Sequence, residues 1–201
     1  MWDYQKNGIT GNEPGTRVSI DHNTVTGIGP TAGAAQNGIQ LGFGARGAVT
    51  NNTVENNVYS PCATADQCFA NATGILIFQS DEIVVESNSV GTNQIGIAVA
   101  GDAATLDKNT VLNSVVLDGI FLMGDNNRVT SNRILHSDQD GVFVQGNGNQ
   151  IVNNEIIEAS VGIFKVSGSA ANSLSNNDIY ATLAPIKDPA PIRAINLVPM
   201  R

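Results

Sequence analysis

The sequence is short of most things that mark common protein classes. No apolar run approaches the roughly 18 residues of a membrane-crossing helix, so no membrane span is expected. Basic residues are scarce: 10 Lys and Arg stand against 18 Asp and Glu, a net charge of −8. Phosphate backbones need clustered cations, so nucleic acid is excluded as a partner. Charged residues make up 14% and aromatics 5% of the 201 residues, which suits neither a helical nor a disordered chain. The two histidines, His22 and His136, stand alone and form no zinc-type pattern with cysteine. No phosphate-cradling glycine loop and no Ser-His-Asp motif is present.

Only two cysteines occur, Cys62 and Cys68, inside the turn-like stretch "SPCATADQC". Close spacing there suits a disulfide-closed loop and an oxidising compartment, with two unpaired thiols as the alternative. The N-terminus "MWDYQKNGIT" has no basic-then-apolar leader, and repetition begins within it. That reads as a mature form or an excised piece of a secreted, periplasmic or cell-surface protein.

What the sequence has instead is glycine, asparagine and self-similarity. A Gly followed by Ile or Val recurs at Gly8, Gly38, Gly74, Gly96, Gly119, Gly141 and Gly162. An Asn-x-Val/Ile recurs at Asn23, Asn52, Asn88, Asn109, Asn132, Asn154 and Asn177, always 13 to 15 residues after the Gly. Apolar columns accompany both, for example Ile20, Val49, Val85, Leu106, Val129, Ile151 and Leu174 three residues before each Asn. Short β-branched runs broken by Gly and Asn are strands. A unit of about 22 residues made of such strands buries its apolar face only by stacking on copies of itself, about 4.8 Å apart. The expected fold is therefore all-β: a right-handed parallel β-helix of about seven coils, its hand taken from the chirality of parallel crossovers. The repeated Asn is expected to form an internal ladder at one corner of every coil, since Asn tolerates the left-handed turn conformation and its amide both donates and accepts. Residues 1–183 form this domain, and the Pro-rich tail 184–201 breaks the repeat and packs on it.

The "GI-x-h … N-x-V/I" register resembles the repeats of pectin-lyase-like parallel β-helix proteins. "DYQKNGIT", "NTVTGIGPTAGAAQNGIQLG" and "ATGILIF" are similar to phrases of bacterial secreted β-helix proteins. The resemblance covers nearly the whole chain to about residue 183. It implies the fold strongly and the activity weakly, since lyases, hydrolases, epimerases and adhesins share it. "VSIDHN" resembles the lyase phrase around an Asp-His pair, but Ser19 stands where that phrase has Trp, so Asp21 and His22 read as corner residues.

Candidate functional positions follow from what the repeat does not require. Two insertions, "TGIGPTAGAAQN" and "ENNVYSPCATADQCFANAT", leave the same corner of adjacent coils, and Tyr59 and Phe69 give the second aromatic content. Arg17 and Arg46 share a register and suit a carboxylate-bearing polysaccharide. Asp118 and Asp140 should be adjacent rungs about 5 Å apart, with Asp138 beside them. That geometry serves paired-carboxylate glycosidase chemistry, ordinary turns before Gly, or a calcium site. No other cofactor is implied. Phe121, Phe143 and Phe164 point outward in one column, as a sugar-stacking face, a self-association patch, or a surface covered by the tail through Ile192, Ile195, Leu197 and Val198. The leading expectation is a polysaccharide-binding protein, with uronan lyase or glycosidase chemistry if Asp118, Asp138 and Asp140 are catalytic and Arg17, Arg46, Phe121 and Phe143 hold substrate. The alternative is a non-catalytic structural or adhesive module of a larger protein.

Overall fold

The structure, a computed structural model, describes residues 1–62, 68, 70–166, 168–169, 171–190 and 197–200. Every strand pairing is parallel, and each coil contributes strands to three faces. Face 1 holds the Gly strands: Asn7–Asn12, Asn37–Gly42, Thr73–Phe78, Ile95–Ala100 and Ile120–Leu122. Face 2 is a separate seven-stranded sheet running from Arg17–Asp21 to Ser173–Ser175. Face 3 holds the strands that follow the repeated Asn: Thr24–Thr31, Thr53–Tyr59, Ser89–Gly91 and Thr110–Ser114. In Arg133–Val144, Glu155–Val166 and Asp178–Ala190 one strand turns from face 3 into face 1, which merges those faces into a single sheet.

Register places like residues in columns. Val25, Val54, Val90, Val111, Ile134 and Ile156 are all buried along face 3, and Ile39, Ile75, Ile97, Ile120, Val142 and Ile163 along face 1. Together with the face 2 column they make one continuous core. Each such side chain contributes on the order of 1.5–3 kcal/mol by leaving water. The repeated Gly serves the corner between faces 3 and 1, where it is a question of room rather than turn conformation. A Cβ on Gly119 would stand 2.5 Å from Ile134 Cγ2 and 2.8 Å from the Gly141 carbonyl oxygen.

The Asn column is a ladder. The backbone N–H and the Nδ2 of each Asn, from Asn23 to Asn154, donate at 2.9 or 3.0 Å to Oδ1 of the Asn in the next coil. Each Nδ2 from Asn52 onward also donates to a carbonyl of the coil before it, as Asn132 does to Leu106. The left-handed residue, however, is the one before the ladder Asn: His22, Asn51, Ser87, Lys108, Ser131, Asn153 and Asn176 all have positive φ. The ladder Asn itself turns inward. A left-handed non-glycine residue costs about 1 kcal/mol, which the buried amide bonds beside it offset.

The same device recurs at the other two corners. Asn57 donates to Asn93 between faces 3 and 1, after left-handed Asn56 and Thr92. Between faces 1 and 2, Ala104, Asn127 and Asn149 donate their N–H groups in turn to Asn127, Asn149 and Asn172 at 2.8 Å.

The boundary expected at residue 183 is too early. The strand Asp178–Ala190 continues face 1 past that point, pairing Ile163 with Ile186, Phe164 with Lys187 and Val166 with Ala190. Pro185 is accommodated because, among the described residues, this strand has a partner on one side only, so a missing N–H breaks no ladder. The register slips between Phe164 and Val166, where Lys165 enters a normally apolar column and its Nζ meets Asp188 at 2.7 Å.

Candidate functional site

Both insertions leave the stack at the corner between faces 3 and 1. Their first residues prolong face 3 as a pair of strands, with Gly29 opposite Asn57, Pro30 opposite Val58 and Thr31 opposite Tyr59. Beyond that pair small residues permit close approach: Ala35 of the first insertion packs with Ala70, Ala72 and Tyr59 of the second and with Val198. Cys62 and Cys68 form a disulfide, with Cα atoms 4.9 Å apart. Buried Gln94 sits beneath it. Its Oε1 accepts from the N–H groups of Tyr59 and Ala72, and its Nε2 donates to Asn71 Oδ1 and contacts both sulfurs. The two insertions thus form one braced platform. Phe69 lies outside the described residues.

Residues 197–200 lie along the outside of face 1 and tie into the platform. Leu197 bridges to Asn71; the Val198 carbonyl accepts from Lys6 Nζ and Asn37 Nδ2; the Met200 carbonyl accepts from Asn12 Nδ2 and Gln40 Nε2. Lys6 Nζ also donates to the Ala35 carbonyl. Burial lowers the Lys6 pKa from its usual value to about 8. Burial likewise raises the phenol pKa of Tyr4, whose hydroxyl donates to Asn57 Oδ1 and so heads that corner's ladder. Between the first insertion and the N-terminal segment opens a cavity of about 430 Å³, lined by Gln5, Lys6, Ile28, Thr31, Gly33 and Ala34.

The residues singled out in the sequence are not brought into one groove. Arg17 and Arg46 are register partners, as expected, but on exposed face 2, and Arg46 Nη1 is 2.6 Å from Glu82 Oε2. Asp118 and Asp140 are adjacent rungs on face 1, and both are buried. Asp118 Oδ1 accepts the Asp140 N–H at 3.1 Å, as a turn residue does. Asp138 is exposed, and its Oδ2 accepts the Val116 N–H at 2.7 Å. The expected acid triad is therefore corrected: an external polymer reaches Asp138 but neither of its buried neighbours.

Phe121 and Phe143 are corrected as a sugar-stacking face for the same reason. Their rings stack with Phe164, centroids 4.7 and 5.5 Å apart, but Phe121 and Phe143 have no exposed surface. They belong to a second apolar cluster outside face 1, with Leu76, Leu117 and Val161, against which Leu197 packs. Self-association through these rings is closed to the intact chain on the same ground. Ile192 and Ile195, expected to help cover them, lie outside the described residues. Asp21 proves to be a corner residue: Thr50 Oγ1 and Asn51 Nδ2 donate to its Oδ1, and these bonds hold its carboxyl below the usual range.

For calcium, the exposed carboxylates Asp81, Asp102 and Asp125 stand in successive coils, and Oδ1 of each accepts a backbone N–H of the next coil. Among the described residues no group of three or more His, Cys, Asp or Glu is arranged to hold a metal ion. Among them, too, no helix is long and apolar enough to cross a membrane.

Sequence reasoning missed two corner ladders, although a signal was there. Asn57 and Asn93 stand five residues after Asn52 and Asn88, and Asn127, Asn149 and Asn172 five before Asn132, Asn154 and Asn177. Gln94 and Lys6 are singular and belong to no repeating column, so nothing in the periodicity marks them.

The stacked parallel coils have their counterpart in one family: the description "right handed beta helix region" matches residues 4–179. The chain belongs to the right-handed β-helix family. That match fixes the hand of the coils as expected from crossover chirality. Neither a curated protein nor a solved structure matches the chain. Within this β-helix the coils repeat one another, so the platform and its cavity are the places where the chain departs from its own repeat.

Proposed function

We propose that this β-helix protein binds polysaccharide, using the platform of the two insertions, and that it acts outside the cell or in an oxidising compartment. The observation that carries the reading is the platform itself. Two insertions on successive coils are joined by strand pairing and by the Ala35, Ala70, Ala72 and Val198 contact; a disulfide and Gln94 stiffen the second, and the first borders an open cavity. Rigid loops on a stiff scaffold are where recognition is usually built. The β-helix fold is compatible with that role without requiring it. Binding is favoured over cleavage because two of the three candidate carboxylates, Asp118 and Asp140, are buried.

Titration calorimetry with pectins, alginates and neutral glycans, run beside assays for new reducing ends and for unsaturated products, tests this. The expected result is binding without turnover. Absence of binding to every glycan sinks the reading, and turnover abolished by Asp138→Asn restores the enzyme. One observation favours the second reading, a structural or adhesive module. Tyr180, Leu183 and Ile186 on the last strand are 62%, 77% and 46% exposed, where a further coil or partner would pack. Sedimentation showing discrete assembly with no glycan affinity would favour it.

A further inference from the structure

We propose that the cavity under the first insertion is a binding site for an organic carboxylate of roughly sugar-acid size, held by an ion pair to Lys6. A volume of about 430 Å³ falls within the range of small-molecule sites. Its wall is mixed: Ile28 is apolar, Gln5 and Thr31 carry hydrogen-bonding groups, and Lys6 supplies the charge.

The case rests on how Lys6 is compensated. Its ammonium has three N–H donors, of which two go to the neutral carbonyls of Ala35 and Val198. Among the described residues no carboxylate stands within ion-pair distance of it. The first insertion, Thr26–Asn37, contains no ionisable side chain, and neither do residues 197–200. On its own segment the titratable neighbours are Asp3, which is exposed, and Tyr4, whose hydroxyl is committed to Asn57. A half-buried cation with no counter-ion among the described residues attracts an anion, and burial makes the contact stronger than it would be in water. The lowered Lys6 pKa reports the burial of that charge. A single ammonium with no arginine among the lining residues fits one carboxylate better than a phosphate dianion, which gathers several N–H donors.

This inference shares the platform with the polysaccharide reading but does not depend on a polymer. The probes are glucuronate, glucose as its uncharged counterpart, and inorganic phosphate, measured by calorimetry on the whole chain. Glucuronate should bind at least tenfold tighter than glucose or phosphate, as one charge-assisted contact allows. Raising the pH from about 7 to about 9.5 should weaken it roughly 30-fold, because Lys6 loses its proton above a pKa of about 8. The sign is fixed: affinity is full while Lys6 is protonated and falls as pH rises through that value.

Lys6→Met should abolish the preference, and Ala34→Trp should abolish binding by filling the cavity while leaving Lys6 in place. If Lys6→Met does not fold, Ala34→Trp and the pH profile decide alone. Equal affinity for glucose, tighter binding of phosphate, unchanged binding in Ala34→Trp, or no glucuronate binding overturns the inference. A chain that binds neutral polysaccharide but not glucuronate keeps the earlier reading and loses this one. The reverse result keeps this one.

Discussion

At the scale of single residues, this fold reads clearly where a side chain repeats and poorly where a conformation repeats. The ladder Asn is visible because one buried amide does the same work in every coil. The left-handed position beside it is filled by His22, Asn51, Ser87, Lys108, Ser131, Asn153 and Asn176. These side chains point to solvent and need share nothing, so the column leaves no mark in the sequence. Gln94 is unmarked for the opposite reason: its work is done once. Replacing it with Leu leaves the Tyr59 and Ala72 N–H groups without their acceptor. Leaving buried donors unmet costs about 2 kcal/mol, which is about 5 °C in a chain of this size. Gln94→Leu should therefore melt lower by about that amount, and the amides of Tyr59 and Ala72 should exchange with deuterium faster than those of face 2. Uniform exchange would mean that Gln94 does not brace the platform.

At the scale of elements, alternation along a strand gives the direction of a side chain but not what lies above it. Phe121 and Phe143 do point away from the main core, as the two-residue period requires, since Ile120, Leu122, Val142 and Val144 on either side point into it. In the sequence they read as surface, because cover arrives from sequence far away, such as Leu197, and long-range contacts have no periodicity. The Pro-rich tail was legible as a break in the pattern, yet Pro185 sits in an ordinary face 1 strand because that strand is an edge. Cutting the chain before Leu197 removes the acceptors of Lys6, Asn37, Asn12 and Gln40 and uncaps part of the phenylalanine cluster. The shortened chain should lose about 3 kcal/mol of stability and begin to associate with rising concentration in sedimentation, which the intact chain should not do through this patch. Unchanged sedimentation would show that Leu197 adds nothing to the cover.

At the scale of the whole molecule, the coils of a solenoid touch only their neighbours, so apart from the returning residues 197–200 its stability is a sum over neighbours. Fold class was therefore the most legible property, since seven imperfect copies average out local noise, while function, written in two departures from the pattern, was the least. The ladders add a constraint on length. Asn109 and Asn132 are 23 residues apart and bond directly to each other. Excising Thr110–Asn132 joins Asn109 to Arg133 and sets Asn109 against Asn154, with Ile134 taking the place of Val111. That shortened chain should keep its β-sheet circular dichroism per residue and a cooperative melt. Excising Thr110–Phe121 should unfold it, because all three corners then fall out of phase. The three amide columns work like the teeth of a gear: the chain can be cut or lengthened by whole turns and by nothing in between, and spare length has a place to go only where it loops out beyond a corner, as the two insertions do.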